Sequence, residues 1–172
     1  VTQHSGEGKA NQYFLRGFNL DHGTDLRITV DGMLVNQRSH GHGQGWADTN
    51  FIIPELIGNL QYMKGPYYAH QGDFSSAGAV SMGYVDKLPK GIASYGLGQQ
   101  GFMRGLVTKS HEVGRGNVLY AVELLTKDGP WVKHEDFKKF NAVLRYSQDS
   151  GSTKFNVTAM GYGANWNSTD QI

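Results

Sequence analysis

Residues 60–80 read Leu60-Gln61-Tyr62-Met63-Lys64-Gly65-Pro66-Tyr67-Tyr68-Ala69-His70-Gln71-Gly72-Asp73-Phe74-Ser75-Ser76-Ala77-Gly78-Ala79-Val80. The segment begins as an alternating strand and breaks at Gly65-Pro66. A polar loop with small residues at intervals follows, and the chain becomes extended again from Val80. Gly72 and Gly78 indicate backbone positions that need positive φ or a very close approach.

The composition excludes several classes of protein and site. The 172 residues carry a formal net charge of +1, so there is no electrostatic footprint for nucleic acid. The chain contains no cysteine, which excludes disulfides and thiolate metal sites. No run reaches the ~18 apolar residues of a membrane helix, whereas barrel strands stay compatible with the low mean hydropathy. The 24 glycines, 4 prolines and 12% aromatic residues favour β structure.

The first half of the chain predicts a small mixed α/β domain with long loops. A strand beginning at Tyr13 follows a polar loop, residues 1–12. A second strand, residues 26–35, is interrupted by Asp31-Gly32, which is a strong tight-turn signal. The next loop, residues 36–46, is rich in Gly and His. Its length and composition indicate a functional loop.

Five strands are expected between residue 89 and the end of the chain. The alternation is clearest in two of them, residues 118–125 and 140–146. Apolar side chains occupy one face of each strand, and the other face carries charge, as at Glu123 and Arg145. One apolar face and one face that tolerates charge are typical of strands with lipid outside and a polar lumen inside. The same alternation also fits a soluble β-sandwich.

Three motifs with a family-like order and spacing carry a resemblance: Leu15-Arg16-Gly17-Phe18-Asn19, Ile28-Thr29-Val30-Asp31-Gly32-Met33-Leu34-Val35-Asn36 and residues 60–80. With them the chain resembles the TonB-dependent outer-membrane receptors, over nearly its whole length. The resemblance implies a mixed α/β plug domain, its C-terminal portion, over residues 1–88. Residues 89–172 would then form the first strands, about five, of an antiparallel transmembrane β-barrel.

A plugged barrel of this kind has ~22 strands. Five strands cannot close and would leave two exposed edges. The opening part of the plug is expected before Val1, so we expect the chain to be a fragment of a longer receptor. Because the chain does not begin with Met, the absence of a signal peptide says nothing about localisation.

The resemblance implies active uptake of a scarce nutrient across the Gram-negative outer membrane, with no enzymatic activity and no catalytic residues. The expected cargo is a ferric siderophore or another metal chelate, and no covalently bound cofactor is expected. The expected partners are outer-membrane lipid and TonB, which would bind through a segment not in this chain. The longest connection between strands, residues 128–136, would place Trp131 and His134 outside.

Two plug loops, residues 37–50 and 67–78, correspond to the apical loops that help form the ligand floor in the family. Their candidate ligand contacts are His40, His42, Gln44, Trp46, Tyr67, Tyr68, Asp73 and Phe74. His40 and His42 form an H-x-H pair that could supply two imidazole ligands to a metal, or could bond to backbone and water instead. Arg16 and Lys64 match basic positions of the plug motifs, and we expect them to pair with acids of the barrel wall.

Other interpretations of the sequence stay open. Residues 96–101 match the dinucleotide pattern G-x-G-x-x-G, but a strand rather than a helix is expected after them, which favours a hairpin turn. A soluble, secreted β-rich ligand-binding module could reuse plug-like motifs. A metal-dependent hydrolase would use His40 and His42, and it predicts stoichiometric bound metal.

Overall fold

The computed structural model describes residues 2–3, 6–15, 17–20, 23–41, 43 and 45–169. These residues form two compact units. The first unit comprises the described residues among 1–5, 9–50 and 54–84, and the second comprises those among 6–8, 51–53 and 85–172. Strands account for most of the regular structure. Within the described ranges, no helix has the length and apolar character that crossing a bilayer requires.

The first unit is built from short strands in two sheets. The strands are β1 (Thr2–Gln3), β2 (Asn11–Leu15), β3 (Phe18–Leu20), β4 (Leu26–Val30), β5 (Met33–Leu34), β6 (Ile57–Lys64) and β7 (Gly78–Tyr84). The sheet orders are β1-β2-β3 and β5-β4-β7-β6, with β4 and β7 parallel. The helical part of the predicted α/β plug is limited, in the described residues, to two three-residue 3₁₀ turns, Pro54–Leu56 and Ala69–Gln71.

The predicted turn at Asp31-Gly32 is confirmed as the two-residue connection between β4 and β5. Both residues have positive φ, 49° at Asp31 and 79° at Gly32, which a type I′ hairpin turn requires. The Asp31 backbone N–H donates to Met82 O at 2.8 Å, and the Asp31 carboxylate accepts the Tyr84 backbone N–H at 3.0 Å. These two bonds fasten the turn to β7.

The predicted special backbone positions at two glycines are confirmed: Gly72 lies within the loop between β6 and β7, and Gly78 is the first residue of β7. Their φ angles are 66° at Gly72 and 153° at Gly78. A Cβ at Gly78 would lie 2.3 Å from Met63 O, so the start of β7 accepts no side chain. The Gly65 backbone N–H donates to Ala77 O at 2.8 Å and closes the base of the loop.

The expectation that residues 1–12 form only a loop is wrong. Thr2 and Gln3 pair with Gln12 and Asn11 as a short antiparallel ladder. The sequence of this segment gives no apolar alternation, and β1 is defined by its backbone pairing with β2.

A buried amide organises the interior of the first unit, whose apolar core contains Tyr13, Leu20, Leu26, Ile28, Ala47 and Ala77. Asn36 is 6% exposed, and its Nδ2 donates to Gly23 O at 2.6 Å and to Leu26 O at 2.8 Å. Its Oδ1 accepts the Ile28 backbone N–H at 2.7 Å. One side chain therefore satisfies three backbone groups in the interior.

Tyr13 places a phenol in the same core, where its hydroxyl lies 2.8 Å from Thr49 Oγ1. Burial raises the pKa of Tyr13 from 10.0 to about 12, the Thr49 hydrogen bond opposes this rise, and the Asp48 carboxylate adds to it. Because the folded-state pKa is raised, the resulting stabilisation is present below pH 10 and is lost as the pH rises through about 12. The neutral phenol is the form that this core accepts.

The second unit is a five-stranded antiparallel sheet with the order β12-β11-β10-β9-β8. Its strands are β8 (Ile92–Leu97), β9 (Met103–Val113), β10 (Gly116–Lys127), β11 (Phe137–Asp149) and β12 (Lys154–Asn165). The five predicted strands are confirmed. Short turns, residues 114–115 and 150–153, lie at one end of the sheet, and residues 98–102 and 128–136 lie at the other, where 128–136 is the longest connection, as predicted.

The two faces of this sheet differ in chemistry. Register places Val107, Val122 and Ala142 in one row, which defines the exposed apolar face. Large exposed apolar side chains on this face are Tyr95, Leu97, Met103, Val107, Val122, Leu124, Phe140, Leu144, Phe155 and Val157. The opposite face buries polar side chains beside apolar ones: Leu106, Thr108, Leu119, Ala121, Glu123, Asn141, Val143, Arg145 and Ser147.

We expect Asn36→Ala to open β4 locally, because the Ile28 N–H and two carbonyls lose their partner in the interior. A buried donor left unsatisfied costs about 1–3 kcal/mol, which corresponds to about 5- to 150-fold faster amide exchange. The measurement is hydrogen exchange of the Ile28 amide. Asn19→Ala is the control, since the side chain of exposed Asn19 accepts a hydrogen bond from the Gln12 side chain at 2.9 Å and holds no buried backbone group among the described residues. Equal exchange rates in the two variants would contradict the role of Asn36.

Candidate functional site

The Gly- and His-rich loop after β5 is a narrow hairpin. The Gln37 N–H donates to Trp46 O at 2.8 Å, and the Trp46 N–H donates to Gln37 O at 3.2 Å. Nearer the tip, the His40 and Gly43 backbones exchange hydrogen bonds of 3.1 and 3.0 Å. These paired hydrogen bonds hold the backbone of the Gly- and His-rich loop at Gln37, His40, Gly43 and Trp46.

An aromatic pair lies on one side of this hairpin. The rings of His40 and Trp46 are stacked, with centroids 4.1 Å apart and planes inclined by 16°. His40 is exposed, so the pair presents a planar surface that suits stacking on a planar ligand. His42 and Gln44 lie outside the described residues, and the H-x-H metal site stays a prediction.

An exposed ion pair links this hairpin to the loop between β6 and β7. Arg38 Nη2 lies 2.5 Å from Asp73 Oδ2. Arg27 Nη1 also donates to Asp73 O, at 3.4 Å. Because both partners of the Arg38–Asp73 pair are exposed, the pair orients the loops and adds little stability. Asp73, a predicted ligand contact, is thus held between two arginines.

An open cavity of about 350 Å³ lies in the loop between β6 and β7. Its lining includes Tyr68, Phe74 and Ser75, so two of the predicted aromatic contacts share one depression. Phe74 holds its position through a backbone with φ of 67°. Tyr67 lies outside this lining and is 79% exposed. Aromatic walls with hydroxyl groups can bind a flat or aryl-bearing ligand.

Of the two basic residues of the plug motifs, the structure describes Lys64 but not Arg16. Lys64 ends β6, and its Nζ lies 5.5 Å from the Tyr62 ring centroid, a cation–π distance. Among the described residues, Lys64 forms no ion pair within 4.0 Å. Arg16 lies outside the described residues. The predicted pairing of both with barrel acids stays a prediction.

The buried face of the five-stranded sheet contains a charged cluster. Glu123 is fully buried, and its carboxylate accepts Arg104 Nε at 2.8 Å and Asn141 Nδ2 at 3.1 Å. Lys139 Nζ lies 2.7 Å from the same carboxylate. Two cations on β9 and β11 thus converge on one anion of the strand between them, where a lost partner would be costly.

A second buried cation fixes the segment that precedes β8. Arg145 Nη2 and Nε donate to Asp86 Oδ1 at 2.8 and 3.1 Å, and Nη1 donates to Thr158 Oγ1 at 2.8 Å. The Leu88 backbone N–H donates to Ser110 Oγ at 2.9 Å. These bonds hold the segment against the sheet close to the short-turn end.

The Gly6–Gly8 segment is held at the opposite end of the sheet. Glu135 is 2% exposed, and its Oε1 accepts the Glu7 backbone N–H at 3.3 Å and Trp131 Nε1 at 3.1 Å. The Glu7 carboxylate pairs with Lys127 Nζ at 2.5 Å. A Cβ at Gly8 would lie 2.3 Å from the Trp166 ring, so only glycine fits there.

Sequence reasoning missed both the charged cluster around Glu123 and the contacts of Glu135 and Lys127 with the Gly6–Gly8 segment. Alternation places Glu123 and Arg145 on the polar face, but the partners come from neighbouring strands whose register a single sequence does not give. The available signal for the clamp was the pair of glycines flanking Glu7, which marks a close backbone approach.

Residues 1–79 match the family model described as the TonB-dependent Receptor Plug Domain. The match covers the hairpin with His40 and Trp46 and the loop that contains Tyr68, Asp73 and Phe74. It ends at the start of β7, before the five-stranded sheet begins.

We expect Glu123→Gln to lower the free energy of unfolding by about 3 kcal/mol, because breaking a buried ion pair leaves Arg104 and Lys139 without their anion. The measurement is denaturant unfolding of the detergent-solubilised protein. Glu112→Gln is the matched control, since its pair with Lys87 at 2.6 Å is exposed and its loss should leave the midpoint unchanged. An unchanged midpoint for Glu123→Gln would show that the cluster carries no net stabilisation.

Proposed function

Residues 1–79 belong to the plug-domain family of TonB-dependent receptors, and from this premise we propose that the chain is part of an outer-membrane receptor for a ferric siderophore or another metal chelate. Receptors of this family are transporters rather than enzymes, so the work is binding and conformational release. TonB is the expected partner that supplies the energy for release. The observation that carries the proposal is the family match together with the aromatic loops that the matched region presents.

The five-stranded sheet supports a location in the outer membrane. Its exposed face carries large apolar side chains on each of the five strands, from Tyr95 on β8 to Phe155 and Val157 on β12. Its opposite face buries Glu123, Asn141 and Arg145. Lipid on the first side and a plugged lumen on the second would satisfy both faces. A soluble module would leave the apolar face in water, which favours the receptor over the secreted alternative.

The plug loops supply groups suited to a metal chelate with planar or aryl parts. His40 and Trp46 form a stacked pair on one hairpin, and Tyr68 and Phe74 line the cavity of the other loop. The Arg38–Asp73 pair joins the two loops and offers a cation for an anionic chelator. In the proposed receptor these groups form the floor that contacts the cargo.

Release of the cargo requires the plug to change its contacts with the barrel. The bonds of the Gly6–Gly8 segment to Glu135 and Lys127 are among those that such a movement would break. Ligand binding can favour the moved state only if the cargo binds the two states with different affinities. The energy for the movement would come from TonB.

The test is uptake by cells that produce the full receptor, with ferric siderophores, haem and cobalamin supplied in turn as labelled complexes. We expect one of these metal complexes to be accumulated, and accumulation to stop when the proton-motive force is dissipated. Tyr68→Ala with Phe74→Ala should raise the Kd for that complex about tenfold, since aromatic stacking contributes about 0.5–1.5 kcal/mol per contact.

Tyr95→Ala is the control for the double variant, because Tyr95 is an exposed aromatic residue on the apolar face of β8, outside the plug loops. It should leave the Kd unchanged. A receptor that accumulates none of these complexes, or a protein that fractionates without detergent, would refute the proposed function.

A further inference from the structure

Three metal-capable side chains meet on the connection between β10 and β11, residues 128–136. Asp128, His134 and Asp136 each offer one donor atom, and these atoms all lie within 4.8 Å of one another. His134 Nδ1 is 3.7 Å from Asp128 Oδ2. No other such group of three is found among the described residues. This set is distinct from the H-x-H pair that the sequence brings to notice.

The cluster holds two carboxylates and one imidazole. Asp128 Oδ2 lies 3.7 Å from His134 Nδ1, an imidazole that is charged only when protonated, and the polar contact of Asp136 Oδ2 is the neutral amide of Asn167. Neither carboxylate has a Lys or Arg partner among the described residues. The adjacent Lys127 is occupied by Glu7. Two carboxylates held this close repel each other unless a cation lies between them.

The backbone that carries the three side chains is anchored from several directions. The Asp128 N–H donates to Gln100 O at 2.8 Å, the Glu135 N–H donates to Asp128 O at 2.9 Å, and the Asn167 N–H donates to Glu135 O at 2.7 Å. The buried Glu135 side chain adds its bond to Trp131 Nε1. The connection therefore holds its donors together before any ion arrives, which lowers the cost of ordering them.

Asn167 also provides an outer-sphere contact. Its Nδ2 donates to Asp136 Oδ2 at 3.0 Å. Hydrogen bonds of this type orient a ligating carboxylate and leave its other oxygen for the metal. The same residue thus fixes both the backbone beside Asp136 and the direction of its carboxylate.

We propose that Asp128, His134 and Asp136 bind a divalent first-row transition-metal ion, for which Zn²⁺ is the reference. One imidazole and two carboxylates suit such an ion, with Zn–N of about 2.0–2.1 Å and Zn–O of about 2.0–2.2 Å. Three protein ligands leave at least one coordination position for water or another donor. The site binds the ion directly, without a chelator, and does not depend on the proposed uptake.

The experiment titrates the detergent-solubilised protein with Co²⁺ alone, followed by visible absorption, and then displaces it with Zn²⁺. We expect one ion at this site. His134→Ala and Asp136→Asn should each weaken Zn²⁺ binding by at least about 100-fold, because losing a ligand exceeds the 10- to 100-fold cost of losing an outer-sphere partner. Asn167→Ala should weaken binding about tenfold.

The variants are chosen so that folding does not confuse the result. Asp136 has φ of 46°, a conformation that Asn also tolerates, so Asp136→Asn keeps the backbone. His111→Ala is the matched control, because exposed His111 on β9 stacks on Tyr120 and belongs to no proposed site; it should leave Zn²⁺ affinity unchanged. Unaltered affinity in both His134→Ala and Asp136→Asn would overturn the proposal, as would loss of binding in His111→Ala alone. Uptake is assayed separately, so its failure bears on the proposed function and not on this site.

Discussion

Strand register is the constraint on which the second unit depends. Side chains alternate with period two, so a slip of one residue in β10 would move Glu123 to the exposed apolar face. In the observed register Glu123 lies opposite Asn141, and Arg104 and Lys139 reach its carboxylate from adjacent strands. A slip would leave buried charges unpaired, which is far costlier than losing apolar contacts. The cluster therefore favours one register over its neighbours.

The same register determines the lengths of the connections, and therefore which of them can hold binding residues. Residues 114–115 are a tight turn with no room for a site. Residues 128–136 are long enough to turn a buried carboxylate inward at Glu135, where it holds the Gly6–Gly8 segment. The residues on either side, His134 and Asp136, remain exposed. In one rigidly anchored connection, the Glu135 side chain can thus hold the Gly6–Gly8 segment while the neighbouring side chains of His134 and Asp136 stay exposed as metal-ligand donors.

Much of the local structure was predictable because its cause is local. Asp31-Gly32 requires positive φ at both positions, and the alternation in β10 and β11 shows which face is apolar. The β1 ladder was not predictable, because its polar residues gain stability only from a partner strand. The site was partly predictable: residue types placed Tyr68 and Phe74 in one loop, but their common cavity depends on the backbone of Gly72 and Phe74.

The group at Asp128, His134 and Asp136 shows why sites formed by contacts between connections escape sequence reasoning. Asp128 and His134 are separated by a loop whose path depends on a hydrogen bond to Gln100 in another connection. Sequence motifs that are defined by residue spacing do not include a hydrogen bond of this kind. The H-x-H pair is easy to find in the sequence because its two residues are almost adjacent. That spacing alone does not show that the two imidazoles can reach the same metal ion.

The edges of the five-stranded sheet set a further physical condition on the proposed location. In the part of the chain that the structure describes, β8 and β12 each pair with a strand on one side only. In hydrocarbon every backbone polar group must find a partner, so a sheet with this apolar face can lie in a bilayer only if further strands pair with both edges. Such strands would have to continue a register that the Glu123 cluster already restricts. In a bilayer, the position of the apolar side chains towards lipid would therefore be set by polar contacts on the opposite face.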